Sequence, residues 1–396
     1  MNNFISQLSE QEKLDRDSLF LASAVSQKKM FFFTSFKRIP MMQDLHTGEV
    51  CHLENLINYD PKFITDYMTV SENDIVALEL NGKRLMKYNT VDKICTYFEL
   101  DYNGRNCDNY ALFTSWGRKL YVFPRYGDKF IIIDLEKEKV QKNKILSSKI
   151  QANRKNKEKD TMSYFWCGCQ LENKAWLFSK QGNMAVVYDM NSSMWQEYEI
   201  PGNIDNCVSV MPYEDKFYLL NSKGIVYCWD AKCALVEIIA DCSNSSGDNT
   251  RFSQIGVSGK RIFILPALEK DIYYVDLKTR QINKYETYPK GFRYCGPENW
   301  SKFYGYCEDE ECYYFAMRSA NFMLVLNKQS GKEKWIKPRQ LLREEYIKVY
   351  FNYNRSLLQE TECNLEDVLD YLDYDSANIQ KKKGISLGKQ VWRQVK

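Results

Sequence analysis

The chain has 396 residues, of which 44% are hydrophobic and 27% are charged, and its formal net charge is +3. This composition is typical of a globular protein with a large apolar core, and so small a charge does not favour nucleic acid as a partner. Aromatic residues make up 14% of the chain and there are only nine prolines, which favours β-strands.

The N-terminal segment, residues 1–17, is polar and is predicted to be partly helical. It lacks the basic and apolar regions of a secretory signal, and apolar runs such as residues 130–133 are too short to cross a bilayer. We therefore expect a cytoplasmic protein without a membrane span. In that compartment the thirteen cysteines are expected to be free thiols, most of them buried.

A pattern of four short strands repeats from about residue 18 to about residue 338. The third strand of each repeat ends in Asp or Asn, whose side chain can accept backbone hydrogen bonds and so start the tight turn to the fourth strand. In two repeats a glycine follows four residues later, Gly48 and Gly331, and can supply a positive φ. The seven strand-ending positions are Asp44, Asn89, Asp134, Asp189, Asp230, Asp276 and Asn327.

The second strand of each repeat is a nearly continuous apolar run, such as residues 119–123 or 261–265, which is typical of strands buried on both faces. A period of 40 to 50 residues with four strands per repeat is the pattern of a propeller blade. The sequence thus predicts an all-β fold, a seven-bladed β-propeller of four-stranded antiparallel blades with a short helical C-terminal extension. The predicted units are about 18–58, 64–101, 108–147, 162–201, 205–241, 251–289 and 302–338.

One repeat resembles a known family. Tyr188-Asp189, five further residues and Trp195 is similar to the third- and fourth-strand signature of kelch repeats. The resemblance covers about residues 18–338 and implies a kelch-like propeller, although the double glycine that follows the second strand of kelch repeats is missing from every unit.

The C-terminal tail, residues 339–396, is predicted to be helical. Residues 381–384 form a charged linker, and the terminal helix after it has an apolar face made by Leu387, Val391, Trp392 and Val395. Two interpretations stay open: the tail covers a blade of the propeller, or the terminal helix docks in a groove of a partner protein.

Catalytic and metal-binding patterns are scarce. The two histidines, His46 and His52, lie near one turn of the first repeat, and with Cys51 they only imitate a metal site. There is no glycine-rich phosphate loop. We therefore expect no catalytic residue, no metal and no cofactor, and an enzymatic activity is less expected than a binding role.

Basic residues recur in the loops between the second and third strands, which share one face of a propeller with the loops between blades. Such a face would attract an anionic ligand or partner. The predicted binding residues are Arg38, Lys83, Arg125, Lys180, Lys223, Lys270 and Arg318, together with Arg293, Tyr294 and Trp300 from an inter-blade loop.

The leading functional hypothesis is a non-catalytic binding or scaffold propeller that recognises a protein or an anionic ligand through its basic loop face, with or without the C-terminal helix. The alternative is a carbohydrate-binding protein or carbohydrate-active enzyme with its site at the channel mouth, as in the propeller proteins of bacterial surface-glycan assembly, which the whole chain loosely resembles. A protein partner is expected, a glycan is the alternative ligand, and nucleic acid is not expected.

Overall fold

A computed structural model describes residues 20–337, apart from 35–39, 54–55, 57, 61–62, 64, 80–81, 101–109, 126–128, 146–164, 181–182, 203, 205, 244–250 and 296–300. The predicted segments 1–17 and 339–396 lie outside the described residues, and so do Arg38, Trp300 and the tail residues Leu387, Val391, Trp392 and Val395.

The strands form seven separate antiparallel sheets of four consecutive strands each, which confirms the seven-bladed propeller. Each sheet falls within one of the predicted repeat units. Blades 1 to 4 comprise β1 (Phe20–Ser26), β2 (Lys29–Thr34), β3 (Pro40–Asp44) and β4 (Val50–His52); β5 (Thr65–Ser71), β6 (Asp74–Glu79), β7 (Arg84–Asn89) and β8 (Cys95–Glu99); β9 (Tyr110–Trp116), β10 (Lys119–Pro124), β11 (Lys129–Asp134) and β12 (Lys139–Lys144); β13 (Phe165–Leu171), β14 (Lys174–Ser179), β15 (Met184–Asp189) and β16 (Trp195–Glu199). Blades 5 to 7 comprise β17 (Cys207–Tyr213), β18 (Lys216–Asn221), β19 (Ile225–Asp230) and β20 (Leu235–Asp241); β21 (Phe252–Ser258), β22 (Arg261–Pro266), β23 (Tyr273–Asp276) and β24 (Ile282–Lys284); β25 (Phe303–Glu308), β26 (Cys312–Met317), β27 (Met323–Asn327) and β28 (Glu333–Ile336).

The second strand of each blade is the most deeply buried, as its apolar run predicts. All six residues of β6 are buried, whereas β12, an outer strand, has only exposed and half-buried residues. The core lies between neighbouring blades: Trp176 of blade 4, for example, packs on Phe217 of blade 5 with ring centroids 4.4 Å apart. Because each blade buries both faces against its neighbours, the ring as a whole provides the core that a single four-stranded sheet lacks.

The turn between the third and fourth strands has the geometry that the sequence predicts. In all seven blades the Asp or Asn side chain accepts a backbone N–H from the residue two or three positions on. In blade 4 the side chain of Asp189 accepts from Asn191 and Ser192, both at 2.9 Å. The kelch-like residues of the same blade, Tyr188 and Trp195, form a cross-strand pair with ring centroids 4.7 Å apart.

The ring closes where β1 packs on β25, and among the described strands none is shared between blades 1 and 7. The closing interface buries Phe20, Phe32 and Met323, and the Ser23 hydroxyl lies 3.1 Å from the Cys307 sulfur. At its rim, Lys28 forms ion pairs of 3.2 Å with Asp309 and with Glu311. Side-chain packing therefore holds the first and last blades together.

The described part of the chain has eleven cysteines, all free thiols. It has no helix with the length and hydropathy that a bilayer span requires.

Candidate functional site at the channel mouth

A β-bulge interrupts the start of every inner strand. The first strands β1, β5, β9, β13, β17, β21 and β25 all shift their register against the second strand within their first residues. In most blades the residue that begins the strand is a buried aromatic, such as Phe165 or Phe303, and the residue after it is the bulged one. A bulge re-aims its side chain, and here Trp166 and Tyr304 line the central cavity.

The central channel encloses a cavity of about 740 Å³. Its wall is built from the seven inner strands and from residues that follow some of the second strands, among them Arg125 and Arg318. Because the inner strands run in the same direction around the ring, their starts form one mouth of the channel and their ends the other. The mouth at the strand starts is also the face of the loops between second and third strands.

Trp166 holds two cations at this mouth. The Arg125 guanidinium lies 4.6 Å from the centroid of the indole ring, and the Lys180 ammonium lies 4.9 Å from it. Arg125 also donates from Nε to the Trp166 carbonyl oxygen at 3.0 Å. The cation–π contacts and this hydrogen bond restrict the rotamers of Arg125, so that its charge is fixed at the channel mouth.

Tyr304, from blade 7, links a second arginine to the first. The Arg318 guanidinium lies 4.8 Å from the centroid of the Tyr304 ring, and Tyr304 also interacts electrostatically with Arg125. Two guanidinium groups and one ammonium group are thus assembled on two aromatic side chains from different blades. We call this set, Arg125, Trp166, Lys180, Tyr304 and Arg318, the arginine mouth.

Other arginines on the same face are neutralised by carboxylates. Arg84 forms ion pairs with Glu79 at 2.6 Å and Asp60 at 2.7 Å, and Arg251 forms one with Glu269. Both arginines of the arginine mouth line the cavity, and Glu308 is the one acidic residue among the described side chains of the cavity wall. Glu308 ends β25, at the opposite mouth, and forms an ion pair of 2.5 Å with Lys328.

The described side chains of the wall between the two mouths are uncharged. Burial raises the pKa of Cys307 to about 12, and it raises the pKa values of Tyr306 and Cys169 well above their ordinary range. These groups are therefore neutral at pH 7, and the positive potential of the cavity is concentrated at the arginine mouth.

The structure separates the predicted binding residues into three groups. Arg125, Lys180 and Arg318 meet at the arginine mouth, whereas Lys83 and Lys223 are exposed on their own loops. Lys270, Arg293 and Tyr294 belong to a separate aromatic cluster after blade 6, in which the Tyr294 hydroxyl donates to the Lys270 carbonyl oxygen at 2.9 Å. Arg38 and Trp300 lie outside the described residues.

The two histidines lie away from this site. His46 is exposed in the turn before β4, and His52 ends that outer strand. Within the described residues no group of three His, Cys, Asp or Glu side chains has the geometry to hold a metal ion.

Trp166 and Tyr304 were not among the binding residues predicted from the sequence. A signal for both exists in the aligned repeats: each follows the phenylalanine that begins an inner strand, in Phe165-Trp166 and Phe303-Tyr304. Once the phenylalanine is assigned to the core, the next residue must point away from it, towards the channel.

No protein-family model and no curated protein matches the chain. Among solved structures it is similar to PorZ, an essential bacterial surface component of the type-IX secretion system of Porphyromonas gingivalis, with 11% sequence identity and a TM-score of 0.52. That match covers 82% of this chain but only 38% of the PorZ chain. The computationally designed protein Ika8 is similar over 82% of this chain and 88% of its own, with 10% identity and a TM-score of 0.50. At these identities the similarity shows the propeller fold alone.

Proposed function

We propose that this chain is a non-catalytic binding protein that recognises an anionic group at the arginine mouth. The observation that carries the proposal is the placement of Arg125 and Arg318 on Trp166 and Tyr304, facing the cavity. Guanidinium groups bind carboxylates and phosphates through paired, charge-assisted hydrogen bonds. Because the aromatic rings already restrict the rotamers of the two arginines, binding of an anion costs little further side-chain entropy.

The carbohydrate alternative receives less support from the same geometry. Sugars bind to aromatic residues through open ring faces, whereas the Trp166 ring already carries Arg125 and Lys180. Most glycoside hydrolases use two carboxyl groups that flank the scissile bond. Among the described side chains of the cavity wall, Glu308 has no second carboxylate beside it and is paired with Lys328.

Three further proposals come from the sequence. These proposals are a kelch-like relationship, which one blade supports, a cytoplasmic location, and docking of a partner by the C-terminal helix, which its apolar face supports. The anionic group can belong to a small molecule or to a protein partner, since the chemistry of the arginine mouth is the same for both.

Ligand-observed NMR with small probes tests the proposal. We expect benzoate and phenyl phosphate to bind, and their neutral counterparts benzamide and benzyl alcohol to bind at least tenfold more weakly, because only the anions pair with the arginines. In the double variant Arg125→Gln/Arg318→Gln, binding of both anions should disappear.

Lys223→Gln is the matched control, because it removes an exposed cation of the same face that lies away from the cavity. It should leave anion binding unchanged. Equal binding of benzoate and benzamide, or full binding by a folded double-arginine variant, would rule out the arginine mouth as an anion site.

A further inference from the structure

We infer that the ligand is an organic monocarboxylate whose carboxylate binds at the arginine mouth and whose elongated, uncharged body lies in the channel. The inference rests on the proposed function, which requires only an anion at the mouth, and it adds the chemical class and the position of the rest of the ligand.

The channel is long enough for such a body. Most inner strands contain seven residues, and a strand rises by about 3.3 Å per residue, so the wall extends for roughly 20 Å from one mouth to the other. The cavity of about 740 Å³ is of the size that holds small ligands rather than single ions. An anion as small as acetate would fill only its end.

The distribution of charge along the channel indicates one anionic end. Both arginines that line the cavity lie at one mouth, and Glu308 lies at the other. A ligand with a second anionic group at its far end would bring that group towards Glu308, across a wall of neutral side chains. A charge left unpaired there loses its hydration without compensation, so the channel selects against dianions.

The wall between the mouths fits an uncharged body with apolar and polar parts. Met68, Leu112 and Phe113 are half-buried and line the cavity, so part of their apolar surface faces it. Thr69 and Gln254 line it as well. Either an alkyl chain or a short peptide of neutral residues with a free carboxyl terminus has this chemistry.

Two series of probes, measured by titration calorimetry, test the inference and distinguish these sources. The first is acetate, butanoate, hexanoate and octanoate, and the second is N-acetyl-alanine extended to N-acetyl-trialanine. In at least one series the longest probe should bind at least tenfold tighter than the shortest, since each buried methylene adds up to about fourfold in affinity. The dicarboxylate suberate should bind at least tenfold more weakly than octanoate.

A bulky residue placed in the channel tests binding of the uncharged body separately from binding of the carboxylate. Thr69→Phe narrows the cavity away from the arginines and should weaken octanoate or N-acetyl-trialanine at least tenfold while leaving acetate unchanged. Val70→Phe, which also lies near the end of an inner strand and lines the cavity, is a second variant with the same expected effect if Thr69→Phe does not fold.

The outcomes distinguish the two proposals. If acetate binds but affinity does not rise with length in either series, or suberate equals octanoate, the inference about the channel is wrong and the anion site stands. If phenyl phosphate binds but no carboxylate does, the inference fails and the anion site stands; if neither phenyl phosphate nor any carboxylate binds, both proposals fail.

Discussion

Four positions after the Asp or Asn that ends the third strand, every blade has a residue with a left-handed backbone. In blades 1 and 7 this residue is glycine, Gly48 and Gly331, as the sequence suggests. In the other five blades it is Lys93, Glu138, Ser193, Ala234 or Arg280, with φ between 51° and 59°. A residue with a Cβ atom is sterically disfavoured in this region, so five turns of the propeller are strained.

Ala234→Gly should therefore raise the free energy of unfolding by up to about 1 kcal/mol, because it removes the left-handed strain at φ 54°. Gly48→Ala should lower it by a similar amount. At Gly48 an added Cβ would meet no atom within 4 Å, so the effect reports the backbone alone. Urea unfolding measures both changes, and a stabilised Gly48→Ala would contradict the account.

The turn aspartates also make stability depend on pH. Backbone N–H donors lower the pKa of Asp44, Asp134, Asp189, Asp230 and Asp276 below the ordinary value. A lowered pKa in the folded state contributes stability above the unfolded pKa of about 3.9, and this contribution is lost as pH falls through the folded pKa.

Replacing all five aspartates with Asn, the residue that blades 2 and 7 already have, should flatten this acid dependence. Between pH 5 and 3 the melting temperature of the native protein should fall more steeply than that of the variant, since the Asn side chain accepts the same hydrogen bonds without titrating. Parallel melting curves for the two proteins would show that these carboxylates do not contribute. Asp189→Ala, which removes the acceptor, should lower the melting temperature at neutral pH.

At the scale of strands, the bulge separates channel-facing positions from core positions. Val208, at the bulge of β17, is half-buried, whereas Val210, two residues later, is 3% exposed and packs in the core between blades 4 and 5; both residues contribute to the cavity wall. The valine at the bulge is thus the less tightly packed of the two.

We expect Val208→Trp to change the melting temperature by no more than a few degrees, because the larger side chain can extend into the cavity. Val210→Trp should cost about 1–3 kcal/mol of unfolding free energy by overpacking the core. Thermal unfolding of the two variants side by side checks the difference, and equal destabilisation would mean that the bulge does not re-aim its residue.

The strand pattern could be predicted from the sequence because it depends on local features. Apolar runs mark the second strands, and Asp or Asn marks the third-strand turns, so the blade count follows from residues such as Asp134 and Asp276. The bulges could not be predicted in this way, because they depend on the pairing of two strands. The site was therefore predicted only in part. Charge identified Arg125, Lys180 and Arg318, but Trp166 and Tyr304 were not predicted.

The grouping of the basic residues depends on the whole ring. Lys270 and Arg125 occupy equivalent loops, but only Arg125 reaches the cavity wall, since Lys270 packs beside Tyr294 in the extended connection after blade 6. Arg125, Lys180 and Arg318 each directly follow the last residue of a second strand, whereas Lys270 lies four positions beyond the end of β22. The indole ring on which Arg125 lies, Trp166, comes from the neighbouring blade 4.

Because side-chain contacts and no shared described strand close the ring, the interface of blades 1 and 7 is a position where a covalent bond should stabilise the molecule. Ser23 and Cys307 are in contact there, although 284 positions separate them in the sequence. Ser23→Cys should form a disulfide with Cys307 under mild oxidation and raise the free energy of unfolding by up to about 5 kcal/mol, because it closes a very long loop. The gain should vanish on reduction. If thiol counting shows the bond but stability does not change, opening at this interface is not how the ring unfolds.

The central claim, that two arginines from different blades bind one anion, is tested most directly by a double-mutant cycle. Titration calorimetry would measure benzoate binding to the native protein, Arg125→Gln, Arg318→Gln and the double variant. We predict that each single change weakens binding by about 1.5–3 kcal/mol, and that the double change costs clearly less than the sum, since both groups pair with the same carboxylate. Unchanged affinity in either single variant, or strictly additive losses, would contradict a shared site.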